Sequence, residues 1–137
     1  MNQKIRALLK ELKKFGNEND ARVSDHTRMM LNITPETGVF LSVLVQAIRP
    51  ARNLEIGTSN GYSTIWLAEA AQKIGGRVTT VEVLPEKAEM ARRNLARAEL
   101  SPWIASHLGD AGEFLAKQNS ESFEFIFLEM VLKQKPA

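Results

Sequence analysis

Hydrophobic residues recur at helical spacing over the first third of the chain. Near the start they predict an amphipathic helix that ends close to Gly16, because apolar residues separated by three or four positions share one helix face. The apolar positions of this helix are Ile5, Leu8, Leu9, Leu12 and Phe15. Residues 16–33 are more polar. There we expect Ser24 to cap a short helix that runs through Met29, Met30 and Leu31.

A second helix is predicted from the segment Thr34-Pro35-Glu36. A threonine that caps the helix, a proline in the first helical position and an acid in the first turn are typical of a helix start. Apolar residues then continue at helical spacing to Ile48. We expect this helix to stop before Pro50, because proline cannot continue the backbone hydrogen bonding.

Short apolar runs alternate with helical patterns after residue 50. Strands are predicted at 53–56, 77–82, 103–108 and 123–128, and helices at 62–73, from Pro85 onward, and at 110–118. Such alternation is typical of a parallel sheet with helices on both faces. The sequence therefore predicts an α/β fold, a doubly wound Rossmann-like sheet of about four strands. We expect an N-terminal helical segment over residues 1–33 and the Rossmann-like unit over 34–137.

Composition narrows the classes of function. Of the 137 residues, 44% are hydrophobic and 25% are charged, which is ordinary for a globular domain. The net charge of +2 gives no strong signal for nucleic-acid or membrane binding. Because there are no cysteines, disulfides, thiolate metal sites and thiol nucleophiles are excluded. No signal peptide or membrane-spanning run is recognisable, and we expect a cytoplasmic protein.

Acidic residues stand at the end of every predicted strand: Glu55, Glu82, Asp110 and Glu129. In a doubly wound sheet, ligands bind beyond the carboxyl ends of the strands. Four carboxylates would repel a phosphate, but they accept hydrogen bonds from an amine and from ribose hydroxyls. This edge therefore favours a ligand that carries a cationic amine and a ribose.

The loop after the first strand contains Gly57 and Gly61, which permit a close backbone approach and unusual dihedral angles. The helix that follows offers free N–H groups to a carboxylate. Glu82 ends the next strand, 25 residues after Gly57, where an acid binds ribose hydroxyls in folds of this kind. An ordinary acid before a proline-initiated helix is the alternative interpretation of Glu82.

Three other interpretations of this loop fit less well. A P-loop requires Lys followed by Ser or Thr after the second glycine, whereas Tyr62-Ser63 stands here. A dinucleotide fingerprint requires a third glycine. Gly57 to Gly61 matches the Gly-x-Ser-x-Gly pattern of hydrolases, but the downstream histidine would have to be His107, inside a predicted strand.

Taken together, these segments resemble the class I S-adenosylmethionine-dependent methyltransferases, and more narrowly the catechol/caffeoyl-CoA-type O-methyltransferase family. The resemblance covers about residues 30–128. The string Glu-Ile-Gly-Thr followed by Gly-Tyr-Ser is its specific part. Supporting segments are 34–41, Val81-Glu82 with Pro85-Glu86, Gly109-Asp110-Ala111 and 123–128.

The resemblance implies an S-adenosylmethionine site and assigns its residues by position. The amino-acid end of the cofactor would lie on Glu55, Gly57, Thr58 and Ser63, next to Gly61. Glu82 would bind the ribose hydroxyls, Asp110 and Ala111 would flank the adenine, and Ile33 would add a backbone contact.

The chain departs from the family after its last predicted strand. The family continues with Asp-Ala-Asp-Lys, whose first Asp binds a divalent cation, whereas Glu129-Met130-Val131-Leu132 stands here. Glu129 can still be a ligand for Mg²⁺, but Val131 cannot replace an acid. The family's later metal ligands, three further strands and substrate wall are missing, so we expect a C-terminally truncated form.

Three functions follow as expectations. The first is methyl transfer from S-adenosylmethionine to a hydroxyl of a small aromatic or similar acceptor. The second is a truncated, catalytically impaired cofactor-binding or assembly module, and the third, more distant, is another nucleotide-using enzyme. We also expect a homo-oligomer, formed through the N-terminal helix or the exposed last strand. Asp25 and His26 are interpreted as a surface pair. Met29 and Met30 are interpreted as packing residues, with substrate contact as the alternative, because the resemblance places the segment before the first strand near the acceptor pocket.

Overall fold

The computed structural model describes residues 1–129, which form alternating helices and strands. The helices are α1 (Gln3–Arg22), α2 (Pro35–Ile48), α3 (Tyr62–Lys73), α4 (Pro85–Arg97) and α5 (Ala111–Ala116). The strands are β1 (Arg52–Ile56), β2 (Arg77–Glu82), β3 (Ile104–Leu108) and β4 (Phe125–Leu128). Short 3₁₀ turns lie at His26–Arg28 and Ser101–Trp103.

The four strands form one parallel sheet in the order β3-β2-β1-β4. Leu54 of β1 is opposite Thr79 of β2 and Ile126 of β4, so β1 lies in the interior of the sheet. The chain runs outward from β1 to β3 and then returns to the other side of β1. This reversal between β1 and β4 is the position at which doubly wound sheets bind ligands. The predicted α/β fold with a parallel sheet is thus confirmed.

The two faces of the sheet carry hydrophobic clusters of unequal size. The larger cluster joins helices α1 to α4 to Val78 of β2 and buries Val45, Ile65 and Leu95. The smaller one surrounds Leu54, Ile56 and Val81 and is covered by Ala111 and Phe114 from the α5 side. Helices on both faces follow from the crossovers, because α3 and α4 connect strands in one direction and α5 in the other.

The predicted start and end of α2 are confirmed. The hydroxyl of Thr34 accepts a hydrogen bond from the Thr37 N–H at 3.1 Å, and Pro35 is the first helical residue. The helix ends at Ile48, and Arg49 adopts a left-handed conformation with φ of 58°. Proline at the start and a left-handed residue after the end satisfy backbone groups that have no partner inside the helix.

The predicted end of α1 near Gly16 is wrong, because the helix continues to Arg22. Gly16 is buried, and a Cβ there would lie 2.6 Å from Nδ2 of Asn32. The glycine thus permits a close approach of the following segment. The predicted cap at Ser24 is also wrong, since Asp25 accepts the hydrogen bond from Thr27 N–H and starts a turn of three residues.

Helix α1 uses its apolar face within its own chain. Its apolar residues Ile5, Leu8, Leu9 and Leu12 are buried in the larger cluster. Ion pairs join Lys4 to Glu99 at 2.8 Å and Arg97 to Glu11 at 2.6 Å. The association that we expected through the N-terminal helix would therefore use its exposed face, and it stays a prediction. Within residues 1–129, no helix is long and apolar enough to span a membrane.

Candidate functional site

A cavity of about 850 Å³ lies beyond the carboxyl ends of β1, β2 and β3. This volume falls within the range of pockets that bind small molecules and cofactors. Five of the predicted site residues line it: Gly57, Glu82, Asp110, Ala111 and Glu129. The structure therefore brings together residues from four strand ends. Three of the four acids predicted at this edge, Glu82, Asp110 and Glu129, line the cavity, and Glu55 does not.

Gly57 lies where β1 turns into the loop and has a φ of 97°. Its N–H donates to the carbonyl of Val81 at 2.9 Å, which ties the loop to β2. A Cβ at this position would collide with the carbonyl oxygen of Glu129. Glycine is thus required here both by the dihedral angle and by the close passage of the chain that leaves β4.

Thr58 and Gly61 stabilise the conformation of the loop between β1 and α3. Thr58 is buried, and its hydroxyl shares a hydrogen bond with the hydroxyl of Thr80. Gly61 has a φ of 93° and precedes the first residue of α3. Neither residue lines the cavity. The direct cofactor contacts assigned to them by resemblance stay predictions, and their visible role is to hold the loop.

Glu55 is fully buried beneath the loop and does not line the cavity. Its carboxyl group accepts hydrogen bonds from the hydroxyls of Ser63, Thr64 and Thr80. Burial raises its pKa to about 7, although these three hydrogen bonds oppose the shift. A carboxyl group in this position supports Ser63 and the first turn of α3, and it stabilises a cation placed above it.

Glu129 follows β4 and faces the cavity. Its pKa is raised to about 7, first by burial and then by the charge of Glu55, while a hydrogen bond with Ser63 and the charge of Lys87 oppose the shift. Ser63 therefore lies between two carboxyl groups. With the Glu129 carboxyl at the cavity and the buried Glu55 carboxyl behind it, a bound ammonium or sulfonium group is favoured here, because it stabilises their ionised forms.

The carboxylate of Glu82 is held in a fixed orientation at the end of β2. It accepts hydrogen bonds from the backbone N–H groups of Ser59 at 2.8 Å, Val83 at 3.1 Å and Leu84 at 3.0 Å. A carboxylate has about four sites that accept hydrogen bonds, so after these three it retains about one, on the oxygen that accepts from Ser59. This geometry suits a hydrogen bond from a ribose hydroxyl.

Asp110 and Ala111 form the wall on the β3 side. Asp110 caps α5, because its carboxylate accepts from the Glu113 N–H at 2.9 Å. Ile33, in contrast, packs against the larger hydrophobic cluster and does not line the cavity. The backbone contact that the resemblance assigned to Ile33 therefore stays a prediction.

Several cavity residues were missed by the sequence analysis. Residues 26–31, which we call the strap, contribute His26, Thr27, Met30 and Leu31. His26 was interpreted as part of a surface pair and Met30 as a packing residue. Lys87 on α4 also lines the cavity. No local pattern marks these residues, because hydrogen bonds to distant parts of the chain bring them to the site.

A divalent cation is not supported by the described geometry. Among residues 1–129, no three or more His, Asp or Glu side chains lie close enough together to hold a metal ion. Magnesium requires near-octahedral oxygen ligands, and Glu129 supplies one carboxylate. Met130, Val131 and Leu132, which stand at the family's metal motif, lie outside the described residues. Glu129 as a metal ligand thus stays a prediction.

Comparison with known proteins agrees with the family resemblance found in the sequence. A family model described as O-methyltransferase matches residues 2–134. A catechol O-methyltransferase of Mycobacterium tuberculosis is 40% identical over 97 residues, which cover 71% of this chain and 44% of that protein. A catechol O-methyltransferase of Niastella koreensis is 35% identical over 102 residues, with 72% and 46% covered. The chain thus spans a little under half the length of these relatives.

Solved structures show the same similarity. An O-methyltransferase from Bacillus cereus, in complex with SAH, superimposes with a TM-score of 0.73 at 36% identity and covers 90% of this chain and 54% of that one. TomG, an O-methyltransferase of Streptomyces achromogenes in complex with SAM, gives a TM-score of 0.72 at 27% identity, with 95% and 54% covered.

Proposed function

Since this chain belongs to the O-methyltransferase family, we propose that it binds S-adenosylmethionine and transfers the methyl group to a hydroxyl of a small aromatic or similar acceptor. The observation that carries the proposal is the Glu82 carboxylate, held by three backbone N–H groups at the wall of an 850 Å³ cavity. Solved relatives in complex with SAM or SAH support the choice of cofactor.

The residues present fit this cofactor. Glu82 would accept a hydrogen bond from a ribose hydroxyl, and Asp110 with Ala111 would lie beside the adenine. Glu129 and Ser63, backed by the buried Glu55, would face the amino-acid end, where an ammonium group compensates the two carboxyls. When bound, the cofactor supplies an electrophilic methyl group on a sulfonium.

The contribution of the protein to such a reaction is mainly proximity and orientation. The loop at Gly57 and the backbone at Glu129 meet at the switch point of the sheet, which keeps the wall of the site rigid. Cavity residues Met30 and Leu31 exclude water from one side. The names of the relatives support a catechol-like acceptor. We derive no step through a metal ion.

A catalytically impaired cofactor-binding or assembly module is the second candidate, favoured by the departure from the family's metal motif at Glu129.

Self-association through the last strand, β4, is expected whichever of the two candidate functions is correct. The side chains of Ile126 and Leu128 on this strand are 54% and 63% exposed. Within residues 1–129, β4 is the last strand of the sheet and pairs on one side only, with β1. Unpaired strand edges favour pairing between chains.

Two measurements test the proposal. Calorimetric titration of the 137-residue chain with S-adenosylhomocysteine should show binding, and no binding at millimolar ligand would remove both candidates. A methyl-transfer assay with a catechol, in the presence and absence of Mg²⁺, then separates them. Turnover supports the enzyme, whereas binding without turnover supports the module.

A further inference from the structure

Lys87 is a buried cation on α4, whose other basic side chains are exposed. Its exposed fraction is 8%, whereas the side chains of Arg92, Arg93 and Arg97 on the same helix are 50% exposed or more. Removing an ammonium group from water is costly unless hydrogen bonds or opposite charges compensate it. The position of Lys87 therefore calls for a specific partner.

That partner is the strap. The Lys87 ammonium donates a hydrogen bond of 2.6 Å to the carbonyl of Met29, which lies 58 positions earlier in the chain. The charge of this ammonium acts on two carboxyl groups. It adds to the lowering of the Asp20 pKa, which the N–H groups of Met30 and Leu31 mainly cause, and it opposes the raised pKa of Glu129. Lys87 thus joins α4, the strap and the cavity wall in one electrostatic group.

Other hydrogen bonds hold the strap in the same place. The carboxylate of Asp20 accepts from the N–H groups of Met30 at 2.7 Å and Leu31 at 2.8 Å. The hydroxyl of Ser59, in the glycine loop, donates to the carbonyl of Met30 at 2.8 Å. Leu31 has a φ of 49°, a left-handed conformation that a leucine adopts when its surroundings impose it.

The strap is at the same time a wall of the cavity, because Met30 and Leu31 line it together with Lys87. Asp20 binds the strap from the side of α1 and does not line the cavity. The strap is therefore held by Lys87 and Ser59, which line the cavity, and by Asp20, which does not. Asp20 can therefore affect a ligand only by supporting the strap, whereas Lys87 also lies where it can contact the ligand.

We propose that Lys87 is a positioning residue, which holds the strap over the cavity through the Met29 carbonyl and so fixes the wall against which an adenosine-bearing cofactor binds. The inference rests on the proposed function for the nature of the ligand. Loss of the Lys87 hydrogen bond would leave the strap attached by Asp20, Ser59 and the amide of Asn19, which donates to the Arg28 carbonyl at 2.9 Å. With one attachment fewer, the wall opens more often and bound cofactor dissociates faster.

The test compares three variants of the full chain. Lys87→Met keeps the length of the side chain and removes its charge, Asp20→Ala releases the strap from outside the cavity, and Arg93→Met is the control on the exposed face of α4. Affinity for S-adenosylhomocysteine is measured by calorimetry. Hydrogen exchange of the Met30 and Leu31 amides is measured by mass spectrometry without ligand.

We expect Lys87→Met and Asp20→Ala each to weaken binding by about tenfold and to speed exchange in the strap, because each removes a hydrogen bond that involves a charged group. Arg93→Met should change neither quantity. Weaker binding in Lys87→Met alone, with normal affinity in Asp20→Ala, would overturn the inference, since Lys87 would then act on the ligand directly. Affinity of Lys87→Met within twofold of the wild type would also overturn it.

Failure of the wild-type chain to bind S-adenosylhomocysteine would refute the proposed function. The role of Lys87 in holding the strap would then be tested by the hydrogen-exchange measurement, which uses no ligand. In that case faster exchange of the strap in Lys87→Met than in Arg93→Met supports the inference. Equal exchange in these two variants overturns it.

Discussion

At the scale of single residues, Glu82 joins structure and binding most directly. Its carboxylate is positioned by three backbone N–H groups before any ligand is bound. Preorganised acceptors reduce the entropy lost when a ligand is ordered. The sequence predicted this residue from its place at the end of β2, but the three N–H groups that orient it follow from the folded loop.

Replacing Glu82 by Gln should weaken the binding of S-adenosylhomocysteine by about 1–3 kcal/mol, because a charged acceptor becomes a neutral one. Gln keeps an oxygen for the Ser59 N–H but turns its NH₂ donor toward the N–H groups of Val83 and Leu84, so urea unfolding of the variant accompanies the titration and separates a loss of stability from a loss of ribose binding. Calorimetry measures the affinity, and Glu86→Gln, an exposed acid one turn later, is the control. Equal affinities of Glu82→Gln and the wild type would contradict a role in ribose binding.

The raised pKa of Glu55, about 7 against an ordinary 4.5, makes folding stability depend on pH. Between these values the folded chain holds a proton that the unfolded chain has lost, so stability falls as pH rises from about 4.5 to about 7. Inside this window one such group changes the free energy of unfolding by about 1.4 kcal/mol per pH unit.

Glu55→Gln resembles the protonated carboxyl and should lose this dependence. Urea unfolding at pH 5, 6, 7 and 8 therefore should show the variant gaining stability relative to the wild type as pH rises. A difference between the two proteins that stays constant over this range would show that Glu55 is ionised in the folded state throughout.

At the scale of elements, the contact between the glycine loop and the end of β4 is the tightest point near the site. A Cβ at Gly57 would meet the Glu129 carbonyl, whereas a Cβ at Gly75 would meet nothing within 4 Å. Both glycines have positive φ, 97° and 74°. Comparing alanine variants at these two glycines therefore separates two contributions to the free energy of unfolding. Both variants share the cost of a positive φ, and only the variant at Gly57 adds the cost of the collision.

We expect Gly57→Ala to lower the free energy of unfolding by about 1–3 kcal/mol more than Gly75→Ala, because overpacking adds to the backbone strain that the two variants share. Urea unfolding measures both values. A Gly57→Ala variant as stable as Gly75→Ala would mean that the end of β4 shifts freely, and that the loop does not depend on it.

The elements that the sequence predicted well are those with local signals. Thr34, Pro35 and the apolar period defined α2, and the alternation of residue types marked β2. Gly16 misled the prediction of α1, because its purpose is close packing against Asn32 and a glycine in a sequence does not show which role it has. The strap was missed for a related reason, since Asp20, Ser59 and Lys87 hold it from distant positions.

At the scale of the whole molecule, the two edges of the described sheet differ in character. β3 carries the polar residues Ser106 and His107 next to Leu108, which is 59% exposed. All four residues of β4 are hydrophobic, and Ile126 and Leu128 each have more than half of the side chain exposed. Edge strands of natural proteins are commonly protected by charges or by covering elements. The β4 edge has neither within residues 1–129, and we expect concentration-dependent association through it.

Ile126→Lys should shift the protein toward the monomer, because a lysine on an edge strand opposes pairing with a strand of another chain. Sedimentation velocity over a range of concentrations measures the effect. Ile48→Lys is a matched control, since Ile48 is 54% exposed, as is Ile126, but lies at the end of a helix. A wild-type chain that remains monomeric at high concentration would count against association through β4.

The shared wall of Glu55, Ser63 and Glu129 also makes the chain a proton donor. Near pH 6 the two carboxyls hold protons that an exposed glutamate would have released, since both pKa values are about 7. A cationic ligand favours their ionised forms, so binding should expel protons into the solvent. The heat of binding at pH 6 should therefore change with the ionisation enthalpy of the buffer, and equal heats in phosphate and in histidine buffer would show that no proton leaves.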